Sequence, residues 1–81
     1  MKCRLINDKG NSIMIDKFSN IIGYLFNRNL ISLPDEYWVE EDNGWKSYWR
    51  KDYKKILKDF EKLTNGKFKI EKWVKNKWVK N

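Results

Sequence analysis

The chain alternates at both ends and turns helical in between, and that order restricts its fold more than any single residue does. In residues 2–7, Cys3 and Leu5 fall on one side and Lys2 and Arg4 on the other. Ile13 and Ile15 repeat the two-residue period, with Ser12 and Met14 opposite. Successive strand side chains point to opposite faces, so both stretches read as strands. The run Asn7-Asp8-Lys9-Gly10-Asn11 between them is turn chemistry with a glycine for positive φ, which makes the pair a β-hairpin. Near the other end, Phe68, Ile70 and Val74 alternate with Lys67, Lys69, Glu71 and Trp73, a further strand.

The middle has a different period. Phe18, Ile21, Ile22, Leu25, Phe26 and Leu30 recur at helical spacing after Asp16, a suitable N-cap, and predict a helix from Lys17 to Asn29. Its outer face, Ser19, Asn20, Gly23 and Asn27, is nearly uncharged and cheap to desolvate against a protein. Pro34 stops anything helical. Tyr37-Trp38-Val39 then sits among the carboxylates Asp35, Glu36, Glu40, Glu41 and Asp42 and reads as a short edge strand. A second helix is expected over 44–63, after the turn and cap residues Asp42-Asn43-Gly44. There Trp45, Trp49, Tyr53, Ile56, Leu57, Phe60 and Leu63 fall in an arc of roughly 120°. Lys46, Arg50, Lys51, Lys54, Lys55, Lys58 and Lys62 fill the adjoining face, and Thr64-Asn65-Gly66 supplies the stop.

The chain ends on a tandem repeat, Lys72-Trp73-Val74-Lys75-Asn76 and Lys77-Trp78-Val79-Lys80-Asn81. A period of five keeps no common face in one continuous strand or helix, so a single element sends the two Trp apart. A hairpin with a two-residue turn at Lys75-Asn76 places Trp73 opposite Trp78. The competing arrangement is a strand ending near Val74 followed by a mobile basic tail over 75–81. The expected fold is therefore a single α+β domain of two layers. An antiparallel sheet, built from the N-terminal hairpin plus a C-terminal strand or hairpin, carries two helices on one face in the order β-β-α-(β)-α-β.

Composition excludes several kinds of chemistry. The 81 residues include no His, Ala or Gln. Without His there is no Ser-His-Asp or Cys-His machinery and no imidazole metal set, and the single Cys3 forms no internal disulfide. Cys3 reads as core packing; a reactive thiol is the alternative. The four glycines are scattered singly, so there is no phosphate loop. Glu40, Glu41 and Asp42 could supply oxygen ligands to Mg²⁺, but strand neighbours diverge, and a solvated loop capping the positive end of the second helix is the preferred reading. No leader and no apolar stretch near ~20 residues is present, so the expectation is a cytoplasmic chain with no membrane contact, no metal and no cofactor.

Charge points to binding. Residues 1–43 carry five basic and seven acidic side chains, and residues 44–81 carry thirteen basic and four acidic ones. A basic surface that also carries flat rings suits a polyanion with bases attached. The residues nominated for a nucleic-acid or partner contact are Lys46, Arg50, Lys54, Lys58 and Lys62 on the second helix, and Lys72, Trp73, Lys75, Lys77 and Trp78 at the terminus. Tyr37, Trp38 and Tyr48 are candidates for a protein contact. Lys dominates over Arg, which suggests backbone tracking instead of base reading. Trp45 and Trp49 point away from the Lys arc, toward the core. The leading expectation is a small non-enzymatic binding protein that acts on nucleic acid or blocks a host nucleic-acid-processing complex, such as a defence nuclease. The size and the richness in Lys, Asn and Ile, all A/T-rich codons, fit a phage or mobile-element origin. The alternatives are a metal-independent ribonuclease toxin using Tyr48, Arg50, Lys54 and Lys58, and a protein–protein module with no nucleic-acid role.

Overall fold

A computed structural model describes residues 1–34, 37–40, 46–48 and 53–81. In chain order the elements are β1 (Lys2–Asn7), β2 (Ser12–Lys17), α1 (Phe18–Asn27), β3 (Trp38–Glu40), β4 (Lys46–Tyr48), α2 (Tyr53–Lys58), α3 (Phe60–Leu63), β5 (Phe68–Val74) and β6 (Lys77–Lys80). Four strands make an antiparallel sheet in the order β2-β1-β5-β6, and β3 and β4 form a separate antiparallel pair. The protein is an α+β fold, as the alternation and the helical spacing require.

The first hairpin closes through Asn7. Its side-chain Oδ1 accepts from the backbone N–H of Lys9 (3.0 Å) and Asn11 (2.9 Å), and Gly10 takes φ +84°. A register shift between Leu5 and Ile6 leaves Ile13 as an extra residue in β2. Leu5 therefore pairs with Met14, and Arg4 with Ile15. This corrects the expected faces of β2. Met14 packs on the core, while Ile13 and Ile15 are 42% and 51% exposed. A one-residue change of register exchanges the two faces of a strand, and the bulge makes that change here.

The core lies between the sheet and the helices. Cys3, Leu5 and Ile70 from the sheet meet Phe18, Ile21, Ile22 and Leu25 of α1 and Ile56, Leu57, Phe60 and Leu63 of α2 and α3. Burying side chains of this size contributes roughly 1.5–3 kcal/mol each. Helix α1 starts at Phe18, not after an Asp16 cap. Asp16 belongs to β2, and its carboxylate accepts from the Lys17 N–H (2.6 Å) and Asn20 Nδ2 (2.8 Å). Both α1 and α3 end in the same way. Asn29 at φ +55° follows α1, with Leu30 N–H bonding Leu25 O (2.9 Å) and Asn29 N–H bonding Phe26 O (3.1 Å). Asn65 at φ +55° follows α3, with Gly66 N–H bonding Glu61 O (2.7 Å) and Asn65 N–H bonding Lys62 O (3.1 Å). These paired long and short bonds are Schellman closures, and Asn tolerates the left-handed position they need.

The single helix expected over 44–63 is not what forms. Lys46–Tyr48 is a strand paired with Trp38–Glu40 (Trp38 with Tyr48, Val39 with Ser47, Glu40 with Lys46), and among the described residues of this stretch helix occupies Tyr53–Lys58 and Phe60–Leu63. Trp, Val and Tyr favour a pleated surface, and a paired ladder satisfies backbone groups that a helix end leaves open. The backbone bends out of helical geometry at Asp59 (φ −96°, ψ 13°) between α2 and α3. Trp45, Trp49, Arg50 and the acidic turn at 41–44 lie outside the described residues.

Candidate nucleic-acid interface

The terminal repeat folds into the hairpin. Lys75 (φ +49°) and Asn76 (φ +63°) form a two-residue turn with both φ positive, as a type I′ turn demands. The register then sets Trp73 against Trp78, Lys72 against Val79 and Val74 against Lys77. The two indole rings meet edge to face with centroids 5.0 Å apart.

Alternation sorts the candidate residues between the two faces of the sheet. Cys3, Leu5 and Ile70 face the helices, and Lys72, the partner of Cys3, shares their side. Lys2, Arg4, Glu71, Lys69, Trp73, Trp78 and Lys80 belong to the opposite, outer side, which no described helix covers. On that outer side the residues form cross-strand rows: Lys17, Lys2, Trp73 and Trp78 in one, and Ile15, Arg4, Glu71 and Lys80 in the next. Cations brace the rings. Lys2 Nζ lies 5.2 Å from the Trp73 ring centroid, and the Arg4 guanidinium carbon 4.7 Å from that of Trp78. Arg4 is also tied to Glu71, its Nε donating to Oε1 at 2.9 Å and its Nη2 contacting the same oxygen. The outer face thus carries Lys2, Lys17, Lys69 and Lys80 together with Trp73, which is 39% exposed, and Trp78, which is half-buried.

The helix lysines do not join this face. Lys54 and Lys58 of α2 are exposed on the other side of the sheet, where they converge with Lys72 on a cavity of about 430 Å³ that Met1, Leu57 and Asn81 also line. Lys62 lines a second cavity of about 610 Å³ with Lys58, Lys69 and Lys80, and there Asp59, Glu61 and Glu71 offset the positive charge. Lys75 and Lys77 are exposed at and beside the hairpin turn. Lys46 lies in β4, so it is not on a helix with Lys54 and Lys58, and Arg50 lies outside the described residues. The nominated basic surface is therefore two surfaces: an outer one with rings and an inner one without.

Tyr37 is corrected from a presented contact to a core residue. It is only 6% exposed, its hydroxyl donates to Asp59 Oδ2 at 2.7 Å, and Lys55 Nζ stands 4.9 Å from its ring centroid. A phenol ring with a carboxylate in reach of its hydroxyl is more stable buried than facing a partner. Trp38 and Tyr48 are opposite one another in β3 and β4. The helix that would have aligned Tyr48 and Arg50 with Lys54 and Lys58 for acid–base chemistry does not exist as one element.

Sequence reasoning missed Lys2, Arg4 and Lys17 as neighbours of the Trp pair, and Lys69 as a member of the same sheet face. The signal was present in the alternation, because Lys2 and Arg4 share a strand face, but only the β1–β5 register shows which face of β5 it meets. Cys3 is fully buried, and burial raises its thiol pKa, against the lowering fields of the N-terminal amine and Lys72. Among the described residues no cluster of His, Cys, Asp and Glu could hold a metal, and no helix is long and apolar enough to cross a membrane. The fold and the site define a small α+β domain with a basic, ring-bearing sheet face. The chain matches no known family model, no curated protein and no solved structure.

Proposed function

We propose that the protein is a non-enzymatic binding protein for single-stranded nucleic acid, held on the outer face of the four-stranded sheet. The observation that carries this reading is the Trp73–Trp78 pair set among Lys2, Lys17, Lys69 and Lys80 on a face that no described helix covers. Rings on a sheet stack bases only where the bases are free of a duplex, and lysines at strand spacing follow the phosphates. Neither arginine among the described residues is free to read bases. The Arg4 guanidinium is committed to Glu71, and Arg28 lies over its neighbour Tyr24 at 3.9 Å while donating to the Tyr24 carbonyl at 3.3 Å. Contacts would therefore be sequence-tolerant.

The test is fluorescence anisotropy of labelled single strands and matched duplexes across a salt series. Engaging the four lysines on a single strand gives a slope of log K against log salt of roughly −3. Trp73→Ala should weaken single-strand binding about 5- to 150-fold, the loss of one stacked base, with Trp73→Phe intermediate. Charge reversal at Lys69 and Lys80 should flatten the salt slope. Absence of binding at low salt, or binding indifferent to both sets of variants, rejects the reading. A parallel pull-down from lysate with and without nuclease separates the blocking alternative: a protein that stays bound after nuclease treatment would make the target a host complex.

A further inference from the structure

We propose that the cavity between Lys54, Lys58 and Lys72 is an anion site for the dianionic phosphate of a phosphate monoester. The three lysines come from two elements and line one space of about 430 Å³, within the size range of small-ligand pockets. Lys54 and Lys58 are one helical turn apart on α2, a spacing at which like charges repel. Lys72 approaches from β5 on the same side of the sheet as buried Cys3. None of the three makes an ion pair among the described residues, and a dianion bound between them would relieve their repulsion. Leu57 gives the cavity an apolar wall, and Asn81 gives it a polar one. That wall is fixed in place: the Asn81 side-chain amide donates to the Leu57 carbonyl, and its backbone N–H donates to the Ile70 carbonyl at 3.4 Å.

The positive field reaches into the fold. Lys72 lowers the Cys3 thiol pKa against the larger raising effect of burial. The neighbouring cavity of about 610 Å³ shares Lys58 but is lined also by Asp59, Glu61 and Glu71, so it is the less favourable place for an anion. The site depends on nothing at the outer face, since Lys72 and Trp73 are adjacent strand residues and point to opposite sides of the sheet.

The two sources of such a group are a free mononucleotide and the 5′-phosphate end of a strand. Titrating the isotope-labelled protein with inorganic phosphate, then with adenosine monophosphate, at constant ionic strength should give saturable amide shifts at Lys54, Lys58, Lys72 and the Asn81 side chain. Lys54→Gln with Lys58→Gln should weaken this binding about 2- to 30-fold, since exposed ion pairs are worth ~0.2–1 kcal/mol each; both residues are exposed, and the spectrum itself reports that the fold persists. A 5′-phosphorylated oligonucleotide that outcompetes its 5′-hydroxyl twin, also in the Trp73→Ala variant, assigns the site to strand ends. Equal binding of the twins together with saturable binding of the mononucleotide assigns it to small esters. Shifts that do not saturate, that chloride reproduces, or that survive the double substitution overturn the proposal. Trp73→Ala leaves all these readouts in place, so a failed outer-face reading and a failed phosphate site give different results.

Discussion

Lys75 and Asn76 hold φ +49° and +63° in the turn between β5 and β6, and Lys75 is the one residue of the two with no side-chain means of easing that conformation. A side chain with Cβ in the left-handed region costs roughly 1–2 kcal/mol, and Asn pays appreciably less because its short amide bonds locally. Lys75→Asn should therefore stabilise the fold by about 0.5–1 kcal/mol. For a domain of this length that is a rise of roughly 2–8 °C in the melting midpoint. Asn76→Gly should add little, because relief of residual strain is offset by a freer unfolded chain. Lys75→Pro must do the opposite, since its ring fixes φ near −65° and the turn cannot form. The assay is thermal melting followed by far-ultraviolet circular dichroism, where two indoles with centroids 5.0 Å apart couple and report the hairpin directly. The expected order of midpoints is Lys75→Asn above wild type and wild type above Lys75→Pro. Equal midpoints for all three, with the indole coupling unchanged, would show that the turn does not hold the hairpin. The same variant separates stability from binding: if Lys75 meets a phosphate on a single strand, its removal flattens the salt slope by about 0.7 while the melting point climbs.

Phe60, which is 1% exposed and tilted against Phe18 with centroids 6.3 Å apart, should cost about 3–5 kcal/mol when cut to Ala, read as a lowered urea midpoint. That is a large part of the roughly 5–15 kcal/mol that holds a domain together. Cys3 should resist Ellman's reagent in the native state, because it is fully buried and its thiol pKa is raised by that burial; its labelling rate should rise with urea in step with unfolding. Asp16 has its carboxyl pKa lowered by the hydrogen bond from Asn20 first and by the Lys17 N–H second. Its folded value lies below its unfolded one, so its contribution is complete above the unfolded value and is lost as pH falls through the folded one. Asn20→Leu should move the Asp16 titration, followed by carboxyl NMR, back toward the ordinary range and narrow that window.

How far the fold was legible depended on whether the deciding contact was local. The two sheet-forming ends announce themselves by alternation, whereas the five-residue repeat leaves a hairpin and a mobile tail both open, and the β5–β6 pairing decides for the hairpin. Helix α1 follows from its spacing, although its start is displaced to Phe18. Prediction failed where a pairing partner decided the outcome. The aromatic and basic spacing of 45–63 fits a helix, yet Lys46–Tyr48 finds Trp38–Glu40 and becomes a strand, while Ile56, Leu57, Phe60 and Leu63 keep the inward helical arrangement. Ile13 and Ile15 failed for a similar reason, because the bulge opposite Leu5 and Ile6 changes the face they occupy.

The same dependence on register decides what the charge asymmetry means. Counted along the chain, the basic half lies beyond residue 43, but the outer face draws Lys2 and Lys17 from the acidic half and sets them in one row with Trp73 and Trp78. That face exists only once β1 lies between β2 and β5, so any affinity it carries belongs to the folded sheet and not to a Lys-rich tail. One residue from Trp73, Lys72 points the other way and joins Lys54 and Lys58. Charge reversal at Lys69 and Lys80 should therefore weaken a stacked strand and leave inorganic phosphate bound, whereas reversal at Lys54 and Lys58 should do the converse. If both reversals acted alike on both ligands, the net charge of the chain, and neither surface, would be the agent of binding.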